Sequence, residues 1–186
     1  MILFRKPNLL AVAAAAVALL AGPASAQLAR NSDAPVDITA DELEVLNTQC
    51  LSIWRGSAEA LQDNARLRAN VLKTFFQVTS TTRTGSTASV NCGDLIRIEA
   101  DGEVFYVTPE QRVRGRNAVY DAASETITVT GDVVAAQGQN VLRGDRLVIN
   151  VSTGQAQMHT NVKGRGKPGR VRGVFYPEKQ QQSQRR

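Results

Sequence analysis

From Pro35 onward, apolar residues alternate with polar ones at a spacing of two, and Gly, Asp, Asn and Ser interrupt the alternation every few residues. Val36 and Ile38, Phe105 and Val107, Ile127 and Val129, and Leu147, Ile149 and Val151 each place apolar groups on one face of an extended strand. The phase slips after Asp41-Glu42, where Leu43 and Val45 take over, which predicts a bulge or corner there. Leu51 to Trp54 forms the next strand and stops at Gly56; Ala58 to Leu61 and Ala65 to Leu72 follow around the turn-forming Gln62-Asp63-Asn64. Ile96 to Ala100, Glu103 to Thr108 and Gln111 to Arg114 read as short strands, with Asp101-Gly102 as a hairpin turn. Ala118 to Tyr120, Thr126 to Thr130, Val133 to Ala136, Val141 to Arg143, Leu147 to Val151 and a closing strand over Val171 to Tyr176 complete the series. A dozen or more short strands and no helix predict an all-β sandwich, barrel or stack.

A repeat sharpens this reading. Gly56, Ala60, Gln62, Leu67, Arg68 and Leu72 recur 75 residues later as Gly131, Ala135, Gln137, Leu142, Arg143 and Leu147. Ala58 to Leu72 also fits helical spacing and propensity, but its twin, Val133 to Leu147, is punctuated as a hairpin, and the repeat decides for strands. A repeated β unit buries its apolar face by stacking on the next one. Phe75 to Val90, rich in Ser and Thr, has no counterpart in the second unit and is expected to be a long hairpin arm or mobile loop.

The first 26 residues stand apart. Arg5 and Lys6 precede the apolar run Leu9 to Ala21, and Ala24-Ser25-Ala26 has the small-x-small pattern of a signal-peptidase site. The run is too short to span a bilayer, which takes about 20 residues as a helix. The expected divisions are a signal peptide over 1–26, a β domain over 27–177 and a polar tail over 178–186. Charge is unevenly spread: Lys163 to Arg186 carries +7, and Gln27 to Val162 carries −4. Cys50 and Cys92 are the two cysteines, and export to an oxidising compartment makes a disulfide their simplest use.

Catalytic chemistry is poorly represented. The chain has a single histidine, His159, with no ligand cluster around it, and lacks the usual zinc, nucleophile-elbow and phosphate-loop motifs. Gly164 to Gly169 matches GxGxxG formally, but Pro168 and the β-like VRGVFY follow where a dinucleotide site needs a helix. Arg143-Gly144-Asp145 matches an adhesion tripeptide, yet its twin reads Arg68-Ala69-Asn70, so a structurally repeated turn accounts for it better. A two-carboxylate glycan-cleaving site is the remaining enzymatic alternative. The alternating strands leave one collective question, whether they enclose a sealed core or a lumen.

The order of motifs resembles a family. PVDITADELEV at the start of the fold, the G-x-x-A-x-Y-D element at Gly115 to Asp121, T-G-D-V at Thr130 to Val133, L-x-G-D-x-L at Leu142 to Leu147 and RVRGVFYPE at Arg170 to Glu178 look like the LptA/OstA-like periplasmic proteins of lipopolysaccharide transport. The resemblance implies an open, twisted β-jellyroll, two antiparallel sheets in a V with an apolar interior, and no enzymatic activity. It implies a carrier that binds the lipid A part of lipopolysaccharide and bridges inner and outer membranes. It further implies partners: a membrane-anchored LptC-like protein, the N-terminal domain of an LptD-like protein, and further copies joined edge to edge. No nucleic acid, metal or cofactor is expected. Val36 and Ile38 match the family's inward-facing opening strand, and Phe105 and Tyr120 match lumen positions. Ile127, Val129, Leu147 and Ile149 join them as acyl contacts from alternation. The Cys50/Cys92 pair and the Phe75 to Val90 arm depart from the family pattern. The alternative function is an exported polysaccharide-binding or carbohydrate-active β-protein.

Overall fold

A computed structural model describes residues 27–30, 32–84 and 87–177. The expected signal peptide and the tail from Glu178 lie outside the described residues. Ten strands make one antiparallel sheet: β1 (Asp37–Thr39), β2 (Glu42–Leu46), β3 (Leu51–Gln62), β4 (Ala65–Thr84), β5 (Thr87–Val107), β6 (Arg112–Asp121), β7 (Thr126–Gln137), β8 (Asn140–Asn150), β9 (Ala156–His159) and β10 (Arg172–Val174). From β3 to β8 each strand pairs with the next; β1 and β2 both pair with β3, and β9 and β10 both pair with β8.

That double pairing at both ends reflects a crease. Every adjacent pair from β3 to β8 has a register shift at the same level: Arg55/Ala58, Arg68/Val71, Asp101/Val104, Arg114/Asn117 and Thr130/Val133. In β3, β5 and β7 the shift coincides with two successive residues of positive φ: Gly56 (84°) and Ser57 (48°), Gly102 (77°) and Glu103 (49°), Gly131 (84°) and Asp132 (49°). Two left-handed residues inside a strand bend it sharply, and glycine takes the first such position without steric cost. Aligned across the sheet, these bulges fold it into two leaves. The first leaf contains β1, residues 58–62, 65–69, 104–107, 112–115, 133–137 and 140–144, and β10. The second contains β2, residues 51–55, 71–84, 87–101, 117–121, 126–130 and 146–150, and β9. The slip in phase at Asp41 is where the chain passes from one leaf to the other; the Asp41 N–H donates to the carbonyls of Arg55 and Gly56 at the crease.

Several sequence expectations are corrected by this geometry. Asp101-Gly102 is not a hairpin turn: Gly102 opens the left-handed Gly102-Glu103 bulge in the middle of β5, because a left-handed Gly serves a bulge as well as a hairpin. Gly56 likewise interrupts β3 without ending it, and Arg143-Gly144-Asp145 lies within β8. The strands are therefore fewer and longer than predicted, β4 and β5 spanning 20 and 21 residues. The Phe75 to Val90 segment is an extension of the β4–β5 hairpin, braced where Cys50 and Cys92 join in a disulfide with a Cα–Cα distance of 5.5 Å. The closing strand is confined to Arg172–Val174. The repeat is threefold: the hairpins β3–β4, β5–β6 and β7–β8 each carry a Gly bulge in the first strand and Arg-Gly or Arg-Ala in the second, at Arg68, Arg114 and Arg143.

The core lies between the leaves and is one cluster, contributed by both, with Leu67, Tyr106 and Val113 from the first and Ile98, Tyr120, Ile127 and Leu147 from the second. Because the crease depends on its left-handed glycines, Gly131→Ala should destabilise the fold by roughly 1–3 kcal/mol. Its Cβ would stand 2.8 Å from that of Arg116 at a φ of 84°. Gly138→Ala, where an added Cβ meets nothing within 4 Å, should cost less. Denaturant titration of the two variants checks the order.

Candidate functional site

Three cross-strand rows line the space between the leaves. On the first leaf the row runs Ile38, Ala60, Leu67, Tyr106, Val113, Ala135, Leu142, Gly173. On the second leaf one row runs Leu43, Trp54, Leu72, Ala100, Ala118, Val129, Leu147, Met158. The other runs Val45, Ser52, Thr74, Ile98, Tyr120, Ile127, Ile149, Ala156. None of the 24 positions is charged, so these rows are apolar across eight strand segments, softened only by hydroxyls and the Trp54 indole N–H. The buried Thr74 hydroxyl is satisfied locally, donating to the Ser52 backbone carbonyl and accepting from the Trp54 indole at 3.2 Å.

Between the leaves lies a cavity of about 630 Å³, with Tyr106, Ala135 and Leu142 on one wall and Leu147 and Ile149 on the other; Phe175 and the charged Arg30, Asp63 and Glu110 also line it. Apolar side chains stay exposed at both ends of the space: Leu43 and Val45 at 51% and 53% on β2, and Phe175 at 68% beyond β10. The groove is thus closed at the crease and open along its ends.

One segment of the chain already lies inside it. Leu28 is fully buried between the leaves, and its backbone is held from both sides. Gln62 Oε1 accepts from the Leu28 and Ala29 N–H groups, and the Tyr106 hydroxyl donates to the Leu28 carbonyl at 2.9 Å. The Tyr120 hydroxyl accepts from the Gln27 N–H. Burial pushes the Tyr106 phenol well above its ordinary pKa, with Glu110 adding to the effect, and burial also raises Tyr120. Both therefore remain neutral hydroxyls. Among the described residues no cluster of His, Cys, Asp or Glu could hold a metal ion.

The residues expected as acyl contacts divide cleanly. Tyr120, Ile127, Val129, Leu147 and Ile149 face inward with at most 1% exposure, and Val36 and Ile38 pack against the core from the β1 edge. Phe105 does not: it is 44% exposed on the outer face of the first leaf, where its neighbours Val104 and Tyr106 point inward. The run Val104-Phe105-Tyr106-Val107 is apolar throughout, so alternation alone could not choose its phase; the bulge at Gly102-Glu103 sets it. For the same reason Tyr106 was missed, together with Leu142 and Ala135. Leu28 gave no sequence signal, standing in a polar lead-in before the first strand.

Comparison with known proteins agrees with the architecture. Residues 37–155 match the family of the LptA/(LptD N-terminal domain) LPS transport protein. An uncharacterised protein, R00383, of Rhizobium meliloti (strain 1021) is 31% identical over 165 residues, covering 84% of this chain and 86% of the relative. Among solved structures, LptH of Pseudomonas aeruginosa, the LptA-homologous periplasmic component of its lipopolysaccharide transport device, shares the fold at a TM-score of 0.62. The match is 14% identical and covers 77% of this chain and 96% of LptH.

The buried tyrosines predict a pH dependence. Their pKa values are raised on folding, so their contribution to stability is complete below the unfolded value of 10.0 and is lost as pH rises beyond it toward the folded-state value. The urea midpoint should fall steadily above pH ~10, and Tyr106→Phe should fall less steeply than wild type while starting lower for want of the bond to Leu28. Denaturant titrations across that range measure both slopes.

Proposed function

The chain belongs to the family of LptA and the LptD N-terminal domain, non-enzymatic components of lipopolysaccharide transport, and from that membership we propose that it carries the lipid A part of lipopolysaccharide with the acyl chains between its two leaves. The observation that carries the reading is the uncharged inner face, continuous from the β1/β2 end to the β9/β10 end. Each methylene kept from water is worth ~0.8 kcal/mol, so several long acyl chains need such a shield to cross an aqueous space. Leu28 is an internal example of what the groove accepts, an aliphatic side chain at 0% exposure. An acyl chain reaching Tyr106 and Tyr120 takes its place.

The same reading assigns the chain to the periplasm after loss of residues 1–26, as a bridge between the membranes. Short strands end the sheet on both leaves, β1 and β2 at one side and β9 and β10 at the other, and among the described residues no further strand pairs with their outer edges. Open edges are an aggregation liability in an isolated domain but serve as docking sites when the partner is another β module. An LptC-like inner-membrane protein at one end, the N-terminal domain of an LptD-like protein at the other and further copies between them fit this geometry. The three rows contain no Asp or Glu to pair as the acid and base of the glycan-cleaving alternative, and the two carboxylates that line the cavity are engaged elsewhere, Asp63 accepting from the Ser32 hydroxyl and Glu110 from the Thr108 hydroxyl.

A photo-crosslinking amino acid at Ile38 or Leu142 should give lipopolysaccharide adducts in cells, and the same group at the outward Phe105 should give few or none. Adducts at Phe105 equal to those at Ile38 and Leu142 would sink the reading.

A further inference from the structure

The two outer faces differ in charge. On the second leaf cations and anions are mixed and paired: Arg55 with Glu44 at 2.9 Å, Lys73 with Asp101 at 3.3 Å and Arg97 with Glu99 at 2.6 Å. On the first leaf one cross-strand row reads Arg68, Phe105, Arg114, Val134, Arg143, Arg172. In the next row Arg66 and Arg112 flank Val107, followed by Ala136, Val141 and Val174. From β4 to β10 these rows contain six arginines and no acidic residue. Glu59, on β3, pairs with Arg66 and Arg68 at one margin of the face. Among the described residues Arg112, Arg114, Arg143 and Arg172 have no ion-pair partner.

The spacing follows from the sheet. Arg68, Arg114 and Arg143 sit two strands apart, about 10 Å at 4.7–4.9 Å per strand, and the neighbouring row is about 7 Å away along the chain. That separation is about one Debye length at ~0.1 M salt, so these three guanidinium groups repel each other weakly and can each meet a different anion; Arg143 and Arg172 are direct partners on neighbouring strands, where an anion between them would relieve their repulsion. Between Arg68, Arg114 and Arg143 stand apolar side chains, and Phe105 projects between Arg68 and Arg114 with 44% of its surface exposed. A regular array of cations interleaved with apolar groups on a broad face suits a plane of anionic headgroups with hydrocarbon beneath them; a purely polyanionic ligand would leave Phe105 and the valines unused.

We propose that the outer face of the first leaf docks on the surface of a bilayer rich in anionic phospholipid. The site is separate from the groove. Phe105 and the arginines lie on the opposite side of the leaf from Tyr106, Val113 and Leu142, so occupation of one side leaves the other accessible.

Co-sedimentation of the protein with phosphatidylglycerol-containing vesicles and with neutral phosphatidylcholine vesicles tests this. Binding should be confined to the anionic vesicles and should fall steeply between about 0.05 and 0.5 M sodium chloride. The double variant Arg114→Gln/Arg143→Gln should bind roughly 25-fold more weakly, at roughly five-fold per arginine. Arg55→Gln/Arg146→Gln, which removes equal charge from the second leaf, should lose less than about three-fold. Arg114, Arg143 and Arg146 are exposed and Arg55 is half-exposed, so both double variants should keep the wild-type thermal transition and lipopolysaccharide capture. Phe105→Ala should weaken vesicle binding and leave lipopolysaccharide capture intact. Equal loss from the two double variants would overturn the proposal, since net charge or the basic residues beyond Pro177 would then do the binding. Equal affinity for both kinds of vesicle would overturn it too, as would binding of soluble polyphosphate with the same arginine dependence and no dependence on Phe105.

Discussion

The structure depends on a single constraint, that the bends of six strands fall in line. A bulge in one strand distorts one strand; bulges at the same level in β3 to β8 turn a sheet into two facing leaves. The positive φ pairs at Gly56-Ser57, Gly102-Glu103 and Gly131-Asp132 supply the bend in alternate strands, and the intervening strands accommodate it where Ala69, Gly115 and Gly144 keep side-chain bulk small. Ion pairing reinforces the line at its exposed side, with Arg116 bonded to Asp132 across β6 and β7. The alignment is possible because the hairpin repeats, each copy delivering its Gly to the same level.

Two consequences follow from folding one sheet on itself. Every side chain is assigned to an inner or an outer face by the parity of its distance from the crease, so a slip by one residue would expose a whole row. The inner face also becomes a groove with a closed spine and open ends, unlike a barrel, whose closure would seal both edges. Leu28 shows the thermodynamic cost of leaving such a groove unfilled: a residue outside any strand is drawn in, and Gln62, Tyr106 and Tyr120 satisfy the backbone it brings.

Fold class and much of the second leaf's wall were legible in the sequence. Ile127/Val129 alternate with threonines, and a clean alternation fixes a face; Leu147/Ile149 flank the apolar Val148 but are bounded by Arg146 and Asn150, which fixes theirs. The crease was not legible, because Asp101-Gly102 and Arg143-Gly144-Asp145 have the composition of turns and only their alignment across strands reveals another use. The third copy of the hairpin was hidden by the β4–β5 extension, which sets Arg114 46 residues after Arg68 but 29 before Arg143. On the first leaf the unbroken apolar run Val104 to Val107 leaves the phase undetermined, so the sequence has nothing to set the inward Tyr106 against Phe105, which the family resemblance places in the lumen and the structure places outside. The family resemblance supplied a lumen; the register identified which side chains line it.

The groove's role is tested most directly by isoleucine methyl resonances recorded as lipopolysaccharide is added. Ile38, Ile98, Ile127 and Ile149 lie on the inner rows, and Ile53 lies among charged residues on the outer face of the second leaf. Acyl chains between the leaves predict large shifts and intermolecular contacts at the four inner methyls, displacement of Leu28 and an unchanged Ile53. Shifts at Ile53 with the inner methyls unmoved would contradict the account.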